Sequence, residues 1–200
     1  MKELLLTILR NRNTTRVEFR HAANQLAHIL ASEMATMLPR EKIHINTPIA
    51  PFDGVTLAQP VVLVPILRSG LALLPAFVEF FPDAAVGCIG LKRDEATAEP
   101  HKYYENMPPI GKHDRIIMLD PMIATGGSSI AAIKMIMDMG IQEERITFAA
   151  VIASEMGLNK AQTAFPKIKF LVPAVDKELT SHYFITPGLG DFGDRFFGTL

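Results

Sequence analysis

The chain is 200 residues long, 48% apolar and 20% charged, with a formal net charge of -1. One domain of ordinary size, residues 1–200, accounts for that length, and the composition excludes both intrinsic disorder and a polybasic nucleic-acid surface. An anionic ligand must therefore be drawn in by local rather than overall charge.

The single cysteine, Cys88, lies in the apolar stretch "AAVGCIGL". No intramolecular disulfide is possible, a reducing compartment is expected, and the thiol reads as a small core side chain rather than a nucleophile. The start, "MKELLLTILRNRN", has too short an apolar run before its charges for a cleaved signal, and the longest apolar region, "PVVLVPILRSGLALLPAFVEFF", is cut by Arg68 and three prolines. Neither suits a membrane span, so a cytoplasmic protein with no membrane partner is expected.

In chain order, a helix is predicted from Thr15, where Glu18 completes a capping-box spacing and Phe19, Ala23, Leu26, Leu30, Met34 and Met37 recur on one face, to a stop near Pro39. "IHINT" (Ile43 to Thr47) alternates as a strand does. Five nearly continuous apolar runs follow: "VVLVPIL" (61–67), "AAVGCIGL" (84–91), "RIIMLD" (115–120), "ITFAAVIA" (146–153) and "IKFLVPAV" (168–175). Such runs suit strands buried on both faces. Helical patterns fall between them at Leu71 to Phe81, Ser128 to Met139 with Gly140 as the stop, and Gly157 to Phe165. The alternation predicts an α/β fold with a mostly parallel sheet flanked by helices, in which ligands bind beyond the carboxyl ends of the strands.

The loops at those ends carry the candidate chemistry. In "LDPMIATGGSS", Gly126 and Gly127 allow a tight turn, Thr125 and Ser128 bring hydroxyls, and the helix that follows brings its positive end, a set that suits a phosphate. The alternative is that Ser128 merely caps the helix. Asp120, ending the strand just before, is placed to accept hydrogen bonds from sugar hydroxyls. Arg68 in "ILRSG" is either a ligand for an anion or a surface charge. The long polar stretch Gly90 to His113, with Lys92, Arg93, His101 and Lys102, reads as a lid or as a solvated hairpin. The tail "ITPGLGDFGDRFFGTL" is expected to be ordered without regular structure. It either presents backbone groups to a flat ligand or is packed by its aromatics, with Asp194 and Arg195 as a local ion pair.

No G-K-S/T follows the glycines, no G-x-G-x-x-G directly follows one of the predicted strands, and the six histidines show no metal spacing, with His21 and His28 decorating the first long helix. G-x-S-x-G is absent as well.

"RIIMLDPMIATGGSS" resembles the phosphoribosyl-diphosphate signature of type I phosphoribosyltransferases, in the Asp-Pro form of the uracil phosphoribosyltransferase family. "VVLVPILRSG", "IGLKRDEATAEPHKYYENMP" and "ITPGLGDFGDRFFGT" are similar to the same family, in order, from about "TILRNRNTTRVEF" to the end. The resemblance implies the type I phosphoribosyltransferase fold with a flexible lid loop and a C-terminal base-binding segment. It implies a pentosyltransferase that joins uracil to the phosphoribosyl group of 5-phosphoribosyl 1-diphosphate, giving UMP and pyrophosphate in pyrimidine salvage, with Mg²⁺ carried largely on the diphosphate and no dedicated metal ligands. Carried across position by position, Asp120, Pro121, Met122, Ile123, Ala124, Thr125, Gly126, Gly127 and Ser128 would hold the ribose and its 5-phosphate. Arg68 and Arg93 would hold the diphosphate, and Asp191 the sugar diphosphate or its metal. Ile185, Gly190, Asp191 and Phe192 would contact uracil, largely through backbone, and Arg93, Asp120 and Asp191 would be catalytic. A homodimer or larger homo-oligomer is implied, with GTP as an effector in some members.

The chain starts short of the family's usual "HPLV" lead-in. Lys92 stands where many bacterial members have tyrosine, and Phe192 stands where many have a small residue, so its ring is expected to narrow the base pocket. Three other readings are a phosphoribosyltransferase for another base, a regulator that binds RNA or senses nucleotides on this fold, and a binder of phosphoribosyl diphosphate that does not turn it over. The net charge weighs against RNA.

Overall fold

The computed structural model describes residues 1–93 and 100–199. The opening stretch folds as an amphipathic helix, α1 (Lys2–Arg10), which buries Leu5, Leu6 and Leu9. Helix α2 (Arg16–Met37) starts at the expected capping box: Thr15 Oγ1 accepts from Glu18 N at 3.3 Å while the Glu18 carboxylate accepts from Thr15 N at 2.9 Å. The next two strands, β1 (Arg40–Asn46) and β2 (Pro51–Leu57), form an antiparallel hairpin that stands outside the main sheet. Register puts Ile43, Ile45 and Phe52 on one of its faces, all exposed, with Ile49 almost fully exposed at the tip.

The main sheet begins with β3 (Val61–Leu67), the apolar run as expected. The predicted helix over 71–81 is instead a 3-10 turn (Ser69–Ala72) followed by α3 (Leu74–Phe80), with Pro75 in the first turn where its missing N–H costs nothing. "AAVGCIGL" divides into β4 (Ala85–Val86) and β5 (Cys88–Arg93), and β6 (Pro100–Asn106) returns antiparallel to β5. Cys88 is half-buried, and desolvation pushes its thiol pKa up, consistent with an unreactive side chain.

The last three apolar runs end at one level. Strand β7 (Arg115–Leu119) stops at Asp120–Pro121 and resumes as β8 (Met122–Ile123), leading to α4 (Gly127–Asp138). "ITFAAVIA" likewise becomes β9 (Ile146–Ala149) and β10 (Ile152–Ser154), before α5 (Glu155–Ala164), and "IKFLVPAV" becomes β11 (Lys169–Leu171) and β12 (Ala174–Asp176). Pro121 and Pro173 lack the N–H that a continuous ladder needs. The chain closes with β13 (Glu178–Leu179), β14 (Ile185–Thr186) and α6 (Phe192–Phe197), so the tail, expected to be irregular, carries a strand and a helix, and a G-x-G-x-x-G, Gly188 to Gly193, does follow a strand, contrary to expectation, because β14 is too short to show as an apolar run.

The large sheet runs β11-β9-β7-β3-β5-β6, with β4 also on β3, and is parallel except for β5–β6. A second parallel sheet, β12-β10-β8, is built from the displaced ends. Both faces of the large sheet are covered. Leu63, Ile117 and Leu119 join the core under α1, α2 and α3, whereas Val62, Val64, Ile116 and Met118 join the core under α4 with Ile133 and Ile136. Among the described residues no helix is long and apolar enough to cross a membrane.

One surface contact between helices is pH-dependent. His28 on α2 approaches Asn24 O with Nδ1 at 2.7 Å and Glu79 of α3 with Nε2 at 2.8 Å, and these two hydrogen bonds hold its pKa above the usual histidine value. Both nitrogens donate only in the imidazolium, so the contact is complete below the ordinary histidine range and is lost as pH rises through the raised pKa. A His28→Ala variant should melt about 1 °C below the parent near pH 5.5, with the gap closing by about pH 8; scanning calorimetry across that range tests this, and a constant gap would show that His28 contributes packing alone.

Candidate active site

Beyond the carboxyl ends of β3 and β7 lies an open cleft of about 380 Å³. Its floor and walls come from Ile66 to Ser69 after β3, Leu91 of β5, Asp120, Met122, Ala124, and Gly126, Ser128 and Ser129 at the start of α4. The β13–β14 connection contributes His182 to Phe184, β14 contributes Ile185, and the last loop contributes Gly190 and Asp191.

Gly126 is the N-cap of α4, with φ 76° and no side-chain cap, so the helix presents an uncapped, positive first turn to the cleft. The alternative in which Ser128 caps the helix is thereby overturned: Ser128 lies inside the first turn and lines the cleft. A Cβ at Gly126 would also stand 2.6 Å from Gly157 O, and one at Gly157 would stand 2.1 Å from Ala124 O. The loop is thus seated on the start of α5. There Ser154 caps α5 by accepting from Gly157 N at 2.9 Å and donates its hydroxyl to Ala124 O.

The β3 loop packs just as closely, since a Cβ at Gly70 would meet Leu119 O at 2.3 Å. The Leu67–Arg68 peptide is cis, as is Thr186–Pro187. Arg68 donates to Asp194 Oδ1 at 3.2 Å and Thr199 Oγ1 at 3.0 Å and lies over the Phe197 ring. Asp194 therefore pairs with Arg68, not with Arg195 as the packed-tail alternative had it. Asp191 caps α6, accepting from Asp194 N at 2.8 Å, and faces the cleft.

The last loop is tied down from the far end of the chain. Arg10 binds Asp176 through two 2.7 Å hydrogen bonds and donates to Gly188 O at 2.9 Å, while Gly188 N donates to Asp176 Oδ2 at 2.8 Å. Arg195 donates to Leu189 O and Asn11 O, both at 2.7 Å, and to Leu9 O, with its guanidinium over the Phe19 ring.

Of the residues singled out from sequence, Arg68, Asp120, Met122, Ala124, Gly126, Ser128, Ile185, Gly190 and Asp191 line this one cleft. Pro121 and Ile123 are buried, and Thr125 and Gly127 support the turn, with Gly127 N 3.4 Å from Thr125 Oγ1. Phe192 is placed differently from the expectation that its ring narrows a base pocket. The ring is fully buried between Phe19 and Phe196, and Phe192 N donates to Met122 Sδ at 3.4 Å. Arg93 ends β5, but its side chain lies outside the described part of the chain, as do residues 94–99 of the predicted lid; the described parts of that stretch pair as β5 and β6. Ser154 and Asp176 were not anticipated, yet each is a polar residue at the end of an apolar run, the signal that had marked Asp120. Arg10 and His182 to Phe184 carried no comparable signal.

Comparison with known proteins agrees with this geometry. The family model described as uracil phosphoribosyltransferase matches residues 1–199. A uracil phosphoribosyltransferase of Salinibacter ruber is 40% identical over 194 residues, covering 97% of this chain and 91% of that one. The solved AQ2163 protein from Aquifex aeolicus superposes with a TM-score of 0.88 at 31% identity, covering 98% of this chain and 93% of that one. The APRTase from Giardia lamblia, at 14% identity and a TM-score of 0.56 over 79% of this chain and 81% of that one, shares the fold. The sheet, the cleft at its carboxyl edge and the full-length match lead to one conclusion: the chain belongs to the uracil phosphoribosyltransferase family.

Proposed function

We propose that the cleft transfers the phosphoribosyl group of 5-phosphoribosyl 1-diphosphate to uracil, forming UMP and pyrophosphate, a pentosyl transfer of pyrimidine salvage. The observation that carries this reading is the meeting, in one cleft, of the uncapped start of α4, the carboxylates of Asp120 and Asp191, and Ile185 and Gly190 of the last segment. The α4 turn receives the 5-phosphate, and Asp120 accepts hydrogen bonds from the ribose hydroxyls. Cleavage of the anomeric C–O bond builds positive charge on the ribose and negative charge on the diphosphate. Arg68, released from Asp194, and Arg93 are the groups assigned to the latter.

Among the described residues no group of three or more His, Cys, Asp or Glu forms a metal cage. The oxygen donors Asp120 and Asp191 nevertheless suit Mg²⁺, which retains waters and arrives on phosphates. Bound there, Mg²⁺ would neutralise charge on the departing diphosphate. Closure of the Gly90–His113 stretch would exclude water from the ribose centre. Fixed backbone donors and acceptors around Ile185 and Gly190 would leave groups unpaired with cytosine, at about 1–3 kcal/mol each. The exposed apolar face of β1–β2 supports a homo-oligomer, and the lone half-buried thiol supports a cytoplasmic setting. GTP is the proposed effector on family grounds alone.

Product analysis with Mg²⁺, phosphoribosyl diphosphate and uracil, cytosine, orotate or hypoxanthine tests the reading: UMP is expected from uracil, and a nucleotide from a different base instead would overturn the assignment. Asp191→Asn keeps an N-cap of equal quality but loses the charge, so it should melt with the parent while kcat/KM falls about a hundredfold. Unchanged kcat/KM would remove Asp191 from the chemistry.

A further inference from the structure

Among the described residues, positive φ belongs to five glycines and to one other residue, Tyr183, at φ 62°. Tyr183 N donates to Thr180 O at 2.9 Å, Thr180 N donates to Phe184 O at 2.8 Å, and Phe184 N donates to Thr180 Oγ1 at 3.1 Å. This is a hairpin with a tight corner at Ser181–His182 followed by a left-handed residue, a position that ordinarily takes glycine because a Cβ there crowds the next carbonyl.

No hydrogen bond of its hydroxyl and no ring contact among the described residues compensates the tyrosine for that strain. Among the described residues no aromatic ring contacts it and its hydroxyl has no hydrogen-bond partner, and the residue is 49% exposed. It does line the cleft, beside Phe184 and Ile185 and together with Gly190. Backbone strain held at the lining of a cleft is a mark of function.

We infer that Tyr183 is a specificity-determining residue of the base site, its ring supplying the aromatic face that covers a planar pyrimidine seated against Ile185 and Gly190. The inference rests on the base-site reading above. Aromatic faces hold bases through stacking that tolerates loss of the hydroxyl but not of the ring.

Tyr183→Gly relieves the backbone and removes the ring. It should leave the melting temperature equal or higher and KM for phosphoribosyl diphosphate within about twofold, while raising KM for uracil about tenfold. Tyr183→Phe should restore most of the loss. A native KM for uracil in Tyr183→Gly, a lowered melting temperature, a change of oligomeric state without a change in KM, or a Phe variant as impaired as the Gly variant would each overturn the inference. Gly190→Ala separates the two failures. If it raises KM for uracil while Tyr183→Gly does not, only the role of Tyr183 falls; if neither does, the base binds elsewhere.

Discussion

Gly126→Ala is expected to destabilise the protein by about 2–4 kcal/mol, a fall in melting temperature of roughly 5–15 °C, and to raise KM for phosphoribosyl diphosphate tenfold or more. Two costs act together. The backbone holds φ 76°, which costs an L-residue about 1–2 kcal/mol, and the new Cβ would lie 2.6 Å from Gly157 O, a backbone atom at the start of α5. The contact can be relieved only by moving the loop or α5, and moving the loop withdraws the first turn of α4 from the proposed phosphate position. Gly140→Ala isolates the first cost, since Gly140 sits at φ 86° and a Cβ there would meet nothing within 4 Å. Calorimetry on the pair, with KM for phosphoribosyl diphosphate, provides the test. If Gly126→Ala is no worse than Gly140→Ala, close seating on α5 does not hold the phosphate turn.

Asp176→Ala should cost about 3 kcal/mol and weaken uracil use more than phosphoribosyl diphosphate use. Asp176 is nearly buried, and its loss leaves the Arg10 guanidinium with Gly188 O but without its counter-charge and takes the acceptor from the Gly188 N–H. The Arg10 side chain is 27% exposed, which keeps the cost at the lower end of that for a broken buried pair. Gly188 lies between Ile185 and Gly190, so release of this tie loosens the proposed base segment before the α4 turn.

The same pair sets an acid limit. The Arg10 hydrogen bonds hold the Asp176 carboxyl below its ordinary value, so its stabilising contribution is full above about pH 4 and is lost as pH falls through the lowered pKa. The melting-temperature gap between parent and Asp176→Ala should therefore narrow in acid. A gap that stays constant down to about pH 2 would show that the carboxylate's charge is not what stabilises the loop.

What could be read before folding was local. The capping box at Thr15 and Glu18 spans three residues, β3 is one uninterrupted apolar run, and the Asp120 to Ser128 turn is contiguous in the chain. The splitting of three apolar runs was less legible, because Ala149, Ala150, Val151 and Ile152 across the β9–β10 break are all buried, as are Leu119 and Ile123 on either side of Pro121, and hydrophobicity alone does not mark the jog. Helix α6 is only six residues long, too short for a periodic pattern, although Asp191 marks its start.

The sequence by itself determined the α/β order, the glycine turn that opens α4 and, through four matching stretches, the family. Only the tertiary structure decided that Phe192 turns into the core, that Asp194 pairs with Arg68, and that Arg10 reaches Asp176 across 166 positions to hold the last loop. The physical reason is range: caps, turns and strand patterns depend on neighbours a few residues away, whereas the partner of a charge or the side on which a ring is buried depends on which distant segments the packed sheet brings together.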